Sequence, residues 1–81
     1  MLFIKRKFKI GCDIHYKQSI INILDRHNVA HTIDGYHESK INGYTWTKVY
    51  FDCICMENEL QKLIEDLDKH TASMARVTLI Y

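Results

Sequence analysis

The side chains best suited to chemistry in this sequence are its three cysteines and five histidines. Cys12-x-x-His15 and Cys53-x-Cys55 together supply four ligands of the kinds that zinc accepts. In the fold derived below, however, Cys12 is expected near Tyr44 or Trp46, about seven residues and roughly 20 Å along a strand from Cys53. A single metal ion cannot span that distance. We therefore predict buried structural thiols and no metal site.

Catalysis has little support in the sequence. Cys12 precedes a predicted helix N-terminus, which lowers a thiol pKa, so it is the best candidate for a reactive cysteine. No base or oxyanion donor stands beside it, and there is no Gly-rich phosphate loop and no H-E-x-x-H motif. His15 and His37 are expected at one end of the sheet, where a metal ion could bind, or an anion could bind to free helix amides. We expect a protein that is not an enzyme and that uses no cofactor.

A second set of residues combines cations with aromatic rings at alternate positions. Its members are Lys5, Lys7, Lys9, Tyr44, Trp46, Lys48, Tyr50 and Arg76, with Phe3, Thr78 and Ile80 beside them. Cations that neutralise phosphates, interleaved with rings on which bases stack, suit single-stranded nucleic acid. Trp, Tyr and Arg are also the residues enriched in protein interfaces. The solvated side of a strand explains the lysines alone, but it leaves Trp46 as an exposed apolar patch.

Hydrophobic periodicity indicates the elements that position these residues. Alternation predicts strands, a spacing of three and four predicts helices, and Asn42-Gly43 is a strong hairpin signal. The predicted elements are a strand over Leu2–Cys12, a helix capped by Asp13 and stopped at Asn28, a strand over Val29–His37, a hairpin loop over Glu38–Gly43, a strand over Tyr44–Cys55, a helix carrying Leu60, Leu63, Ile64 and Leu67, and a strand over Arg76–Tyr81.

The order β-α-β-β-α-β in about 80 residues is that of the ferredoxin-like α+β plait, a four-stranded antiparallel sheet with two helices on one face. Right-handed crossovers give the strand order 4-1-3-2, and residues 1–81 form one domain. Arg6 interrupts the inward side of the first strand, where its stem can lie on the core and its head can reach water. A two-residue turn would also point Asp34 inward, so we predict a bulge at Gly35, or a longer loop, that turns Asp34 outward and Ile33 inward.

Composition limits the kinds of partner. The chain has 47% apolar and 26% charged residues, and eleven Lys and Arg against ten Asp and Glu leave a net charge of +1. No global field therefore drives it onto DNA or a membrane. No apolar run approaches the roughly 18 residues of a spanning helix, and Lys5-Arg6-Lys7 follows the apolar start, unlike a signal peptide. An odd cysteine count fits a reducing compartment, so we expect a cytoplasmic protein.

One short stretch resembles a known family. Gly43-Tyr44-Thr45-Trp46 and Leu2-Phe3-Ile4 resemble the third-strand and first-strand motifs of RNA-recognition-motif domains. The resemblance covers about ten residues and implies stacking of RNA bases on the sheet. It departs from the pattern at Asn42, where the family has a cation, at Val49, where it has a ring, and at Phe3, which lies at the far end of its strand from Trp46.

We therefore predict a small non-enzymatic binding module that acts through a basic and aromatic sheet face. The first hypothesis is single-stranded nucleic acid, with Trp46, Tyr44 and Tyr50 as stacking rings and the five cations of the set on phosphates. The alternative is a homo-oligomeric regulatory or inhibitory protein whose sheet face is a protein interface, such as that of a homodimer, and whose loops bind an effector or a partner protein.

Overall fold

A computed structural model describes residues 4–81, so the predicted positions of Leu2 and Phe3 lie outside the described residues. The chain forms β1 (Lys5–Asp13), a 3-10 turn (Ile14–Tyr16), α1 (Lys17–Arg26), β2 (Ala30–Ile41), β3 (Tyr44–Met56), α2 (Glu57–His70) and β4 (Arg76–Leu79). The four strands are antiparallel in the order β2-β3-β1-β4. The predicted ferredoxin-like α+β fold and its strand order are confirmed.

The core lies between the helices and one face of the sheet. Alternate residues of β1 and β3 are buried there, as the two-residue period requires. The helices contribute residues spaced by three and four. The buried set includes Phe8, Ile10, Cys12, Val49, Phe51, Cys53, Ile20, Ile23, Leu24, Leu60, Leu63 and Leu67. Because these positions face the helices, their neighbours along β1 and β3 face the opposite side.

The predicted bulge in β2 is present. Ile41 pairs with Tyr44 and Tyr36 with Val49, and the register then shifts between Ile33 and Gly35. The extra residue turns Asp34 away from the helices, where its carboxylate lies 2.8 Å from the ammonium of Lys9. Ile33 pairs with Phe51 on the helix side. The cost of burying a carboxylate was thus sufficient to predict the bulge.

The predicted hairpin loop over Glu38–Gly43 is wrong. Strand β2 continues to Ile41, and only Asn42 and Gly43 form the turn. Pairing of β1 with β3 ends at Asp13 and Lys48, so residues 38–41 and 44–47 form a two-stranded ribbon beyond the sheet. The ribbon helps to give the molecule its elongated extents of 53 × 22 × 16 Å. We call residues 38–47 the ribbon.

The ribbon also corrects the expected position of Cys12. Cys12 pairs with Val49 and not with Tyr44 or Trp46, since the first residues of β3 pair only with β2. The separation from Cys53 along β3 is therefore about four residues, or roughly 13 Å, instead of seven. The conclusion is unchanged, because a single ion cannot bridge this distance either.

The end of α1 follows its predicted signal, but its start does not. Asp13 caps the 3-10 turn, where its side chain accepts a 2.9 Å hydrogen bond from the amide of His15, and α1 begins after Tyr16 without a side-chain cap. Asn28 adopts a left-handed φ of 55° after α1, as predicted. Arg6 reaches Glu57, with 3.5 Å between Nη1 and Oε1. The helices are linked by His27 and Asp66, whose Nε2 and Oδ2 atoms lie 2.6 Å apart. In residues 4–81, neither helix is long and apolar enough to span a membrane.

Candidate functional site

The sheet face turned away from the helices, here called the outward face, consists of rows of side chains across the strands. One row places Tyr50 beside Gly11, with Arg76 beyond it. The next contains Asp52, Lys9 and Thr78, and a third contains Ile54 and Lys7, with Ile80 donating its amide to the Lys7 carbonyl. Past Tyr50, the face continues through Lys48 and Trp46 to Tyr44 at the turn. All eight predicted site residues therefore lie on the outward face.

A groove of about 770 Å³ opens on the ribbon side of this face. Strands β1, β3 and β4 form its floor, and the loop from α2 to β4 forms one rim. Its lining combines two aromatic rings, three cations and several hydroxyl groups, which is suited to a polar ligand with a planar part. The lining residues are Lys9, Gly11, Cys12, Asp13, Trp46, Lys48, Tyr50, Ser73, Met74, Arg76 and Thr78.

The structure gathers five of the eight predicted residues at the groove, namely Lys9, Trp46, Lys48, Tyr50 and Arg76. Lys5 and Lys7 lie at the opposite end of the sheet, where they pair with Met56 and Ile54. Tyr44 is 74% exposed next to the turn. The predicted continuous basic and aromatic surface is thus divided into a groove, an exposed ribbon end and a separate row around Lys7.

Lys9 contributes less positive charge than its position suggests. Its Nζ lies 2.8 Å from Asp34 and 3.8 Å from Asp52. The hydrogen bond to Asp34 raises the pKa of Lys9, and the same contact lowers the pKa of Asp34. By contrast, Lys48 and Arg76 form no salt bridge within residues 4–81. These two side chains are the cations best placed to bind an anion in the groove.

The loop after α2 holds its shape through one buried side chain. The Thr71 hydroxyl donates to the Leu67 carbonyl at 2.6 Å and accepts from the Ala75 amide at 3.1 Å. Between these contacts, Ala72 and Ser73 adopt left-handed φ angles of 51° and 61°. Thr71 thereby fixes the segment that brings Ser73 and Met74 to the groove rim.

The three cysteines are free thiols buried in the core. Burial raises the pKa of Cys12, so the predicted lowering by the helix N-terminus is wrong. Burial also raises the pKa of Cys53 to about 12 and that of Cys55 above its usual value. No group of three or more His, Cys, Asp or Glu side chains within residues 4–81 is placed to hold a metal ion.

His15 and His37 lie toward the same end of the sheet, as predicted, but their side chains do not form a common site. His37 pairs with Lys48, which in turn pairs with Asp13 at the end of β1. The ring of His15 is instead turned to Asp13, with 2.6 Å between Nδ1 and Oδ1, and its side chain is 87% exposed. The pair thus offers no enclosed site.

Sequence reasoning missed Gly11, Ser73 and Met74, which line the groove, and Asp52, which pairs with Lys9 beside it. Asp52 continues the outward alternation of β3, so the pattern contained this signal. Gly11 follows the same alternation in β1, but a glycine carries no periodic hydrophobic signal. Ser73 and Met74 reach the groove through a loop, and no periodicity in the sequence indicates their position.

These observations define a class: a ferredoxin-like domain with a ligand-sized groove on the sheet face that its helices leave open. No protein-family model and no curated protein sequence matches the chain. Solved structures do match, at low sequence identity. CPII from Thiomonas intermedia, a nitrogen regulatory PII-like protein bound to ADP, AMP and bicarbonate, has 18% identity and a TM-score of 0.74, over 98% of this chain and 93% of that chain.

Two further structures are similar over nearly the whole chain. A DUF3240 family protein from Shewanella baltica has 10% identity and a TM-score of 0.73, over 95% of this chain and 88% of that chain. The divalent cation tolerance protein CutA1 from Thermus thermophilus has 9% identity and a TM-score of 0.66, over 96% and 84% respectively. At these identities the comparisons show the fold alone.

Proposed function

We propose that this protein is a non-enzymatic regulatory module that forms a homo-oligomer and binds a small phosphorylated effector in the groove of its outward face. The observation that carries the proposal is the groove itself, which combines two rings with the salt-bridge-free cations Lys48 and Arg76. Cations bind phosphate groups, and rings stack on a planar base. CPII, which shares the fold, was solved with ADP and AMP, so these are the first ligands to test.

The arrangement favours a small ligand over a nucleic acid strand. A strand needs cations and rings along a continuous track. Here Lys9 is compensated by Asp34 and Asp52, while Lys5 and Lys7 are separated from the groove by the row containing those charges. Binding of single-stranded nucleic acid remains a prediction from the sequence, and the titration below tests it directly.

The oligomer part of the proposal depends on the apolar residues of the outward face. Ile54 is 40% exposed and Ile80 is 50% exposed, on either side of Lys7. Exposed apolar side chains grouped on a sheet face are typical of a protein interface. A second copy that covers this row would leave the groove accessible at its margin.

The test is a titration of the native protein with ADP, AMP and single-stranded oligouridylate, monitored through the fluorescence of Trp46, the single tryptophan. We expect saturable quenching by ADP or AMP. Replacement of Lys48 or Arg76 by Gln should weaken nucleotide binding about tenfold, since a charged hydrogen bond is lost.

Lys5→Gln is the matched control, because it removes an exposed lysine of the same face outside the groove. Its affinity for ADP should equal that of the native protein. Absence of binding to either nucleotide would contradict the proposal. Steeply salt-dependent binding of the oligonucleotide that Lys5→Gln also weakens would support the nucleic-acid hypothesis instead.

A further inference from the structure

Tyr50 lies between two glycines on the outward face. It pairs with Gly11 of β1 on one side and with Gly35 of β2 on the other. In an antiparallel sheet, directly paired side chains are normally in contact across the strands. Neither partner of Tyr50 has a side chain, so its ring has room to lie over either Gly11 or Gly35.

The Tyr50 ring lies over Gly11 and not over Gly35. A Cβ atom added to Gly11 would lie 2.7 Å from Cε1 of Tyr50, closer than real Cβ contacts allow, and 3.0 Å from Cδ1. A Cβ added to Gly35 would meet nothing within 4 Å. The edge of the Tyr50 ring therefore fills the place that a side chain at position 11 would occupy.

This direction determines what the groove presents to a ligand. Gly11 pairs with Tyr50 on one side and with Arg76 on the other, and all three residues line the groove. A ring above Gly11 thus leans toward the Arg76 strand. A planar group stacked on the ring would have its charged substituents near the guanidinium.

We propose that Gly11 is a specificity-determining residue of the groove, because the absence of its side chain lets the Tyr50 ring lie over Gly11, toward the Arg76 strand, as a platform for the planar part of a nucleotide. This inference rests on the proposed function. It adds Gly11 to the proposed binding residues, because Gly11 contacts the Tyr50 ring and so acts on the base and not on the phosphate. Glycine here serves a close approach of side chain to backbone.

The substitution Gly11→Ala separates this role from folding. The group that must move is the end of a flexible side chain, and the space above Gly35 is open to receive it. Alanine is also more favourable than glycine within a strand. We expect Gly11→Ala to fold, with the Tyr50 ring displaced toward Gly35 and away from Arg76.

The experiment measures ADP affinity by Trp46 fluorescence for the native protein, Gly11→Ala, Tyr50→Ala, the double variant and Tyr50→Phe. Gly11→Ala and Tyr50→Ala should each weaken binding roughly fivefold or more, as loss of a stacking ring does. The double variant should bind no more weakly than Tyr50→Ala, because both changes remove one platform. Tyr50→Phe keeps the ring and should bind like the native protein.

A second readout does not depend on the ligand. In the native protein, nuclear Overhauser effects should connect the α-protons of Gly11 with the ring protons of Tyr50, since the ring edge lies against this glycine. Absence of these effects would contradict the placement of the ring.

The outcomes separate the two proposals. If the native protein binds no ADP or AMP, the proposed function fails and the role of Gly11 fails with it. If the native protein binds and Gly11→Ala binds equally well, only the role of Gly11 is overturned. Should Gly11→Ala not fold, equal affinities of Tyr50→Ala and Tyr50→Phe would overturn it.

Discussion

Lys9 shows how the neighbours of a charged residue decide what it can bind. From the sequence it is one of three alternating lysines, and all three are equal candidates for phosphate contacts. In the structure, the bulge in β2 brings Asp34 to Lys9, and the alternation of β3 adds Asp52. The ammonium is then paired with two carboxylates, so Lys48 and Arg76 are the cations we propose for anion binding.

Thr71 makes a testable contribution to stability through its hydroxyl group. Thr71→Val keeps the shape of the buried side chain but leaves the half-buried Ala75 amide without its acceptor. We expect a loss of about 1–3 kcal/mol in the free energy of unfolding, measured by urea denaturation. Thr71→Ser retains the hydroxyl and should lose less. Equal losses in the two variants would show that the methyl group, and not the hydrogen bonds, matters.

The contact between His27 and Asp66 predicts a pH dependence of stability. The hydrogen bond from His27 lowers the pKa of Asp66 in the folded protein. A lowered carboxyl pKa stabilises the fold above the unfolded value of about 3.9, and this contribution is lost as the pH falls through the folded value. Asp66→Asn should therefore be less stable than the native protein at pH 5–6, and the difference should disappear toward about pH 2.

Urea denaturation across this pH range measures the difference. Asp68→Asn is the control, since Asp68 lies in the same helix and its side chain forms no salt bridge within the described residues. It should follow the native pH profile. A gap between Asp66→Asn and the native protein that stays constant down to pH 2 would contradict the assignment.

Among the elements, the ribbon should be the least protected part of the sheet. Its strands pair only with each other, whereas the remainder of β3 has β1 and β2 as neighbours. We expect amide hydrogens of residues 38–47 to exchange faster than those of residues 49–53. Native-state hydrogen exchange followed by NMR measures both sets in one sample.

The turn at the ribbon end allows a sharper prediction. Gly43 has a φ of 81° and Asn42 has a φ of 52°, so both positions are left-handed. Gly43→Ala should cost about 1–2 kcal/mol and accelerate exchange in the ribbon alone. Asn42→Gly adopts the same conformation without strain and should leave exchange nearly unchanged. Slower exchange in Gly43→Ala would contradict this account of the turn.

The sequence was sufficient for elements that bury one face. The leucine spacing of α2 and the bulge beside Asp34 follow from the cost of exposing apolar groups or burying charged ones. The Asn42-Gly43 turn follows from the tolerance of both residues for positive φ. The end of β2 could not be predicted in this way. Residues 38–41 are exposed or half-buried with both faces near water, so their pairing depends on backbone hydrogen bonds that leave no alternating pattern.

The groove was only partly predictable for a related reason. Alternation places Lys9, Lys48, Tyr50 and Arg76 on one face, and the strand order brings them together. The rim comes from a loop whose path depends on the Thr71 hydrogen bonds. The shape of the floor depends on Gly11, whose importance lies in a missing side chain.

For the whole molecule, the proposed oligomer gives a direct expectation. The native protein should sediment as a dimer or larger species, and Ile54→Lys should reduce its mass toward that of the monomer by placing a second cation beside Lys7 in the proposed interface. Ile33→Lys is the matched control, because Ile33 is 42% exposed but lies on the helix side of the sheet. A native protein that sediments as a monomer at high concentration would contradict the oligomer.

The bulge between Ile33 and Gly35 has a further consequence at the outer border of the sheet. Within residues 4–81, β2 pairs only with β3, so its other side presents the backbone groups of a twelve-residue strand. A long, straight border of this kind would invite fibril growth by strand addition. The extra residue interrupts that border near its middle, so a straight strand from another molecule cannot align with both halves at once.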